Sequence, residues 1–318
     1  MPKKTCDAAE RGKSGEHEIP PAQPLMSDPT KGTHVLLLPN RSKRPEKFDA
    51  HGCFFCPGNE HLTPPTTLAL PNEKNWRARA FQNKFKVTHA HEVIVETNQH
   101  EALWQNFDDA QLAFVFHAYK DRYISLAGES EYVLLFKNHG KGGGASIGHE
   151  HAQIIAFDFV PELAEREWTA FDENKRVFAE LLAEHEKEGF VFAERGCFAA
   201  FTPKFARFPG EVWIVPRKQF DSFCDFDGSE TKDFAWLLRD CIRRVSSFSP
   251  EYNFVFHCAP AGRSFWFHCE IYPRSSVWAG IELGCGVIIN PKSAADALEA
   301  LKTAKNAGVS AAAQPAKK

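Results

Sequence analysis

The chain has 318 residues, of which 43% are hydrophobic and 25% charged, and its formal net charge at pH 7 is -3. This composition is typical of a globular protein with a large core, and the charge provides no overall basic field for nucleic acid or an anionic membrane. No apolar run approaches the roughly 20 residues that span a bilayer, and the polar start M-P-K-K-T-C lacks the apolar core of a signal peptide. We therefore expect a cytoplasmic protein in which any phosphate-binding groups form a local cluster.

The predicted elements form two similar series along the chain, with a polar tail at each end. Residues 1–30 and the low-complexity end, 306–318, are expected to be disordered. The first series has predicted strands at 34–39 and 91–97, a helix at 108–126, and strands at 132–137 and 152–157. The second has a predicted helix at 162–188, strands at 190–193, 197–201 and 212–216, a helix at 229–248, and strands at 253–257 and 265–272.

In each series a helix precedes two strands, and a histidine lies near the end of the series. Short strands joined by modest loops, with helices grouped between them, are typical of an α+β fold with antiparallel sheets. The pattern therefore predicts two similar units, 31–160 and 161–305, each with helices packed against its sheet.

The segment G-A-S-I-G-H-E-H-A-Q places two histidines one residue apart, just before an apolar run. In an extended chain, residues two apart project from the same face, so His149 and His151 can reach one pocket. Two exposed polar residues at the start of a strand would give the same pattern. The spacing alone does not decide between these interpretations.

Cysteine usage indicates reduced thiols and one candidate metal site. Nine cysteines are an odd number in a long chain, and only Cys53 and Cys56 form a close pair. Cys-x2-Cys is half of a zinc site or a redox pair, and the Pro-Gly that follows breaks the helix a redox pair usually opens. His149 and His100 are candidates for the other two ligands. Spacing alone does not favour His100 over His89, His91 or His139.

Several segments in register resemble the galactose-1-phosphate uridylyltransferases, the transferase branch of the histidine-triad superfamily. They are L-P-N-R-S-K-R-P-E-K-F-D-A-H-G-C-F-F-C, R-A-F-Q-N-K-F, H-E-V-I-V-E-T-N-Q-H and N-H-G-K-G-G-G-A-S-I-G-H-E-H-A-Q. The similarity extends from about residue 33 to 292. It implies tandem histidine-triad-like halves, with zinc and the active site in the first half and a homodimeric assembly.

The resemblance implies separate roles for the two histidines. His149 would bind zinc together with Cys53, Cys56 and His100, and His151 would attack the α-phosphorus of a nucleotide sugar. A neutral imidazole is a good nucleophile near neutral pH and a good leaving group once it carries a phosphoryl-type group. Hydrolytic relatives carry a third histidine where Gln153 stands. Because glutamine can donate hydrogen bonds but cannot act as a general acid, it favours transfer over hydrolysis.

The family's substrate contacts map onto further positions. By resemblance, these substrate-binding residues are Arg41, Arg44, Asn83, Phe85, Asn138, Ser146 and Glu282. The glycines at 142–144 would let backbone amides approach the phosphates. Without the resemblance, N-R-S-K-R-P would read as a solvated basic turn.

Two departures from the family pattern affect the prediction. Glu150 replaces the usual proline between the histidines, and alternation would place it on the opposite strand face. A second metal site, for zinc or iron, would use Glu167, His257, His268 and Glu270, with glutamate in the last position where the family often has histidine. The alternative is that these four groups only hydrogen-bond within the sheet.

The sequence leaves three functions open. The first is a UDP-glucose–hexose-1-phosphate uridylyltransferase that works by ping-pong through a nucleotidyl-His151, with a nucleotide sugar and a sugar 1-phosphate as substrates. The second is an ADP-glucose or dinucleoside-polyphosphate phosphorylase. The third, a zinc-stabilised nucleotide-binding module without activity, is disfavoured because the predicted catalytic groups are all present.

Overall fold

The computed structural model describes residues 25–31, 33–128 and 130–307. Within these ranges the strands are β1 (Leu25–Ser27), β2 (His34–Leu36), β3 (Thr66–Leu70), β4 (Ala78–Gln82), β5 (Ala90–Val95), β6 (Tyr132–His139), β7 (His151–Phe157), β8 (Val191–Arg195), β9 (Phe198–Phe201), β10 (Val212–Pro216), β11 (Tyr252–His257) and β12 (His268–Pro273). The α-helices are α1 (Asp109–Ala127), α2 (Glu162–Glu173), α3 (Val177–Lys187), α4 (Gly228–Ser246), α5 (Gly280–Cys285) and α6 (Ala294–Ala307).

One antiparallel sheet extends through both halves of the chain, in the order β3-β4-β5-β7-β6-β11-β12-β10-β9-β8. From each outer edge inward, five strands follow the same sequence order, and the two sets meet where β6 pairs with β11. Helix α1 connects β5 to β6, and α4 connects β10 to β11 in the same way. The predicted α+β fold with tandem histidine-triad-like halves is confirmed.

The largest core lies on the face of the sheet that α1 and α4 cover. Helix α1 begins after Asp108, whose side chain accepts a hydrogen bond from the Gln111 amide and caps the helix. The apolar positions predicted at helical spacing are all buried: Leu112, Phe116, Tyr119 and Tyr123. Phe234 of α4 is fully buried and contacts Phe116, Phe198 and Phe256, so aromatic side chains join both helices to both halves.

Different elements cover the two halves of the opposite face. In the first half, Cys53 and Phe55 pack with Phe81, Val93 and Val95 in a smaller cluster, so the loop before β3 lies over β4 and β5. In the second half, Phe171 of α2 and Phe178 and Leu182 of α3 pack on Phe201 and Val215. This arrangement leaves the first half open for a pocket between the loop and the strands.

The helix predicted at 162–188 is wrong in its continuity, because the chain breaks between α2 and α3. The backbone of Asn174 leaves the helical conformation, and its side-chain oxygen accepts a hydrogen bond from the Arg176 amide. Such local side-chain bonds compete with the helical ladder. Five elements were not predicted, namely β1, β3, β4, α5 and α6, whereas the other predicted elements match the structure to within a few residues.

The expectations for the two tails fall largely outside the described residues, which omit 1–24 and 308–318. Within the segment predicted to be disordered, Leu25–Ser27 pairs with His34–Leu36. None of the helices in the described part of the chain combines the length and apolar character that a bilayer span requires.

Replacing Phe234 with alanine should destabilise the protein strongly. Removing a fully buried phenylalanine ring leaves a cavity that the surrounding aromatic side chains fill only in part, at a typical cost of about 3–5 kcal/mol. Ile124→Ala is the control, because that side chain on α1 is 63% exposed. Urea denaturation of both variants checks the prediction, and an equal loss in both would contradict it.

Candidate active site and metal clusters

Strand pairing brings the two predicted catalytic side chains to one place. β7 begins at His151, and its neighbour β5 sets Val95 opposite His151 and Val93 opposite Gln153. Because side chains alternate along a strand, His151 and Gln153 share the face away from α1. Ala152 and Ile154 point to the large core instead.

A pocket of about 340 Å³ opens on this face. Its apolar and aromatic part consists of Pro45, Phe54, Phe55, Leu62, Pro64, Phe81, Phe85, Val93 and Ile147. Its polar part includes Lys43, Arg44, Asn83, Lys84, Ser146, His151 and Gln153. An apolar cleft with a few convergent polar and cationic groups suits a nucleotide, with the base against the aromatic side chains and the phosphates near the cations.

The ring of His151 is held in one tautomer. Its Nδ1 lies 2.8 Å from the carbonyl oxygen of His149, which can only accept, so Nδ1 carries the proton and Nε2 carries the lone pair. Burial lowers the pKa of His151 to about 4, and the nearby charge of Lys137 adds to the effect. The imidazole is therefore neutral near pH 7, the form that a nucleophile requires.

Glu150 points to the opposite face, as alternation predicts, and joins a buried charge network there. Lys137, fully buried, pairs with Glu150 at 2.6 Å and also with Glu96. It donates in addition to the carbonyl oxygen of His151 at 3.1 Å. The Trp104 amide donates to Glu150 as well. The network thus holds the core face of the strand that carries His151.

Two backbone amides of the glycine-rich loop donate within the protein. The amide of Gly142 donates to Glu251 and that of Gly144 donates to the Lys141 carbonyl, so both bonds stay within the protein. A Cβ on Gly143 would come within 2.3 Å of the His139 carbonyl oxygen. Glycine at 143 therefore allows a close backbone approach that shapes the loop.

The predicted substrate-binding residues divide into two groups. Arg44, Asn83, Phe85 and Ser146 line the pocket. Arg41 donates to the Phe85 carbonyl at 2.6 Å, Asn138 accepts from Asn253 at 2.8 Å, and Glu282 accepts from the Ala279 amide in α5. In the described chain these three residues do not line the pocket.

The first predicted metal set is assembled from three separate segments. Cys53, Cys56, His100 and His149 lie together, with ligand atoms within 4.8 Å of one another. The Cys56 sulfur is 3.5 Å from Nδ1 of His100 and 3.6 Å from Nδ1 of His149. Tetrahedral zinc with ordinary bond lengths would separate sulfur and nitrogen ligands by about 3.6 Å.

The hydrogen bonds around this set also suit zinc. Nε2 of His149 donates to the Thr97 carbonyl at 2.8 Å and Nε2 of His100 to that of Phe48 at 3.3 Å, which leaves both Nδ1 lone pairs for a metal. Burial and the neighbouring Cys53 raise the pKa of Cys56 to about 11, so a thiolate there needs a cation beside it. These four residues fit a structural zinc.

The second predicted set, Glu167, His257, His268 and Glu270, also lies together, in the other half. Nε2 of His257 and Nε2 of His268 are buried and have no hydrogen-bond partner among the described residues, which fits a metal. Burial alone would lower the pKa of His257, but Glu167 and Glu270 outweigh it and raise it to about 9. Arg207 and Tyr272 donate to Glu270, so a metal here would compete with a proton and with these donors.

Several residues at or near the pocket were not predicted from the sequence. Lys43 and Lys84 line the pocket, Lys137 and Glu96 lie beneath it, and His91 contacts Gln153 at 3.0 Å. A lysine inside the apolar run Y-V-L-L-F-K was the available signal, because lysine is rarely buried unless it is paired. His91 was considered only as a metal ligand, but it lies outside both sets.

Similarity to known proteins agrees with this geometry. Residues 42–160 match the model "Domain of unknown function (DUF4931) N-terminal domain". The chain is 27% identical to ADP-glucose phosphorylase of Arabidopsis thaliana, over 88% of this chain and 92% of that protein. It is 28% identical to galactose-1-phosphate uridylyltransferase of Thermotoga maritima, over 84% and 94%.

Solved structures extend the likeness to the fold. The crystal structure of the Arabidopsis thaliana ADP-glucose phosphorylase with bound ADP-glucose has a TM-score of 0.72 at 25% identity and covers 88% of this chain and 98% of that one. A uridylyltransferase structure gives a TM-score of 0.75 at 22% identity, over 90% and 99%, which bears on the fold alone.

The fold and its similarity to these enzymes define a nucleotidyltransferase. Within that class, the chain resembles the galactose-1-phosphate uridylyltransferases. The resemblance predicted from the sequence is thus confirmed.

Replacing Cys53 with serine should remove about one equivalent of zinc and lower the unfolding temperature. The binding energy of a structural metal contributes to folding, and serine is a poor zinc ligand. Metal analysis and thermal unfolding check both effects. Cys285→Ser is the control, because Cys285 is exposed and lies outside both metal sets. Full zinc occupancy in Cys53→Ser would show that the site is elsewhere.

Proposed function

We propose that the protein transfers a nucleotidyl group from a nucleotide sugar to a phosphate acceptor through a covalent nucleotidyl-His151. The observation that carries this proposal is the neutral imidazole of His151 in the pocket, with Gln153 two residues along the same strand face. Nε2 of His151 forms a bond to the α-phosphorus as the bond from that phosphorus to the bridging oxygen breaks, and the sugar 1-phosphate leaves. An acceptor phosphate oxygen then reverses the exchange and frees the histidine.

The donor we favour is UDP-glucose, with a hexose 1-phosphate as acceptor. Arg44, Lys43 and Lys84 line the pocket and suit the phosphate groups of both substrates. Several uridylyltransferases share 23–28% identity with this chain, which supports the same assignment. Gln153 would donate hydrogen bonds to the phosphoryl oxygens, where a third histidine would favour hydrolysis.

ADP-glucose phosphorolysis is the second candidate. It is favoured by the similarity to the Arabidopsis thaliana enzyme, whose crystal structure contains ADP-glucose. In this case inorganic phosphate would be the acceptor.

We further propose zinc at Cys53, Cys56, His100 and His149, where it would fix the loop beneath the pocket. We also propose zinc or iron at Glu167, His257, His268 and Glu270, because Nε2 of each histidine is buried and has no hydrogen-bond partner among the described residues.

A homodimer is supported by exposed apolar side chains around α5. These side chains are Val277, Trp278, Ile281, Leu283, Val287 and Ile289.

Incubation with UDP-glucose or ADP-glucose, each labelled in the α-phosphate and without acceptor, should label the protein with one of the two. His151→Ala should abolish labelling and leave zinc content and the fold intact, because only the attacking nitrogen is lost. An acid-labile label on His151→Ala would reject the assigned nucleophile. If neither donor labels the unmodified protein, the proposed covalent mechanism is wrong, even where nucleotide binding persists.

Replacing Arg44 and Gln153 should affect different kinetic constants. Arg44→Ala should mainly raise the Michaelis constant for the acceptor, whereas Gln153→Ala should slow both half-reactions. Loss of one hydrogen bond to developing charge typically costs on the order of a hundredfold in rate. Arg217→Ala, which removes an exposed charge in the second half, is the control. The assigned roles would be wrong if Arg44→Ala left the affinity for the acceptor unchanged and Gln153→Ala weakened only acceptor binding.

A further inference from the structure

His91 lies directly against the glutamine of the proposed active site. It is fully buried on β5, and its side chain shares the pocket face with Val93, which pairs with Gln153. Its Nε2 is 3.0 Å from Oε1 of Gln153. The mechanism proposed above gives this imidazole no role, and it belongs to neither metal set.

The surrounding bonds fix the tautomer of His91. Nδ1 lies 3.1 Å from the amide nitrogen of Val87. A backbone amide can only donate, so Nδ1 must accept and carries no proton. The single proton of the neutral ring is therefore on Nε2, from which it points to Oε1 of Gln153. Burial lowers the pKa of His91 to about 3, which agrees with a neutral ring near pH 7.

This proton in turn fixes the orientation of the Gln153 amide. Because Oε1 accepts from His91, the two N–H donors of Gln153 are directed away from that ring. Nδ2 of Asn83 lies 3.4 Å from Oε1 of Gln153 and 3.1 Å from Nε2 of His91. Because Nε2 of His91 carries the proton, Nδ2 of Asn83 can donate only to Oε1 of Gln153, which supports the same orientation. The Asn83 amide is itself oriented, because its Oδ1 accepts from the Phe85 backbone at 2.8 Å.

We propose that His91 is a positioning residue for nucleotidyl transfer: its Nε2–H holds Oε1 of Gln153, so that the Gln153 amide offers its N–H groups to the phosphoryl oxygens at His151. The proposal rests on the proposed function, and it adds a residue that does not touch the substrate. A glutamine free to rotate would present its oxygen to an anionic phosphate for part of the time. His91 removes that unproductive orientation.

Single-turnover labelling with saturating donor tests this role. His91→Phe keeps much of the ring volume but loses the donor, so labelling should slow about tenfold, the upper range for one hydrogen bond, with donor affinity unchanged. His91→Gln, whose side-chain N–H can reach the position of Nε2, should recover most of the rate. His91→Asn should not, since its shorter amide can accept from Val87 but cannot reach Gln153. If His91→Phe fails to fold, the comparison of His91→Gln with His91→Asn tests the proposal instead.

A double variant separates positioning from packing. In a Gln153→Ala background, His91→Phe should change the rate by less than about twofold, because the group that it orients is gone. The same tenfold loss in both backgrounds, or a loss confined to donor affinity, would overturn the proposal. Normal labelling in His91→Phe would also overturn it while leaving the proposed function intact. Absence of labelling in the unmodified protein would instead reject the proposed function.

Nitrogen NMR of histidine-labelled protein tests the orientation without any substrate. The His91 signals, assigned by their loss in His91→Gln, should show a proton on Nε2 and none on Nδ1 near neutral pH. A proton on Nδ1, or a doubly protonated ring, would overturn the assignment whether or not a nucleotide sugar labels the protein.

Discussion

The buried ammonium group of Lys137 is the interaction on which the active-site half depends. It extends from β6 to Glu96, just after β5, and to Glu150, just before β7, and thereby connects three adjacent strands. Removing one partner of such a buried ion pair typically costs about 3–5 kcal/mol, because the remaining charge is left without a partner. Since Lys137 also donates to the carbonyl of His151, the backbone of the proposed nucleophile is bound to the same group. Glu150, between the two histidines, is therefore one of the groups that hold this part of the site in place.

The two faces of these strands differ in charge and in chemistry. On the core face Lys137 lies between the carboxyl groups of Glu96 and Glu150 and pairs with both. On the pocket face the imidazoles of His91, His149 and His151 are neutral, because burial lowers the pKa of each. Each of these rings also has one nitrogen engaged by a backbone group, which leaves the other for a specific partner. Charge on the pocket side comes from Arg44, Lys43 and Lys84, which suits anionic substrates that bring their own negative charge.

The sequence predicted those parts of the molecule whose signal is local or carried by a motif. Alternation predicted that His149 and His151 share a face, and the family resemblance added Gln153 and both metal sets. The spacing of Leu112, Phe116 and Tyr119 predicted α1. Strand β4 was missed because Ala78, Arg79, Ala80 and Phe81 are all buried, so no alternation of polar and apolar residues marks it. The role of His91 could not be predicted, since it depends on the Val87 amide and on strand register. Glu282, placed at the substrate by resemblance, caps a helix in the described chain.

The continuous sheet has a consequence for how the chain folds. At its centre Asn253 bonds to Asn138, 115 residues earlier, whereas β8 and β9 are joined by a short turn. Contacts between distant segments form late, because a long loop must close before they add stability. During synthesis the first half emerges with the β6 edge still unpaired, and an unpaired hydrophobic strand is a template for association with another chain. The pairing of β6 with β11, which joins the two halves, is thus also the place where an incomplete chain presents an unpaired strand edge for misassembly.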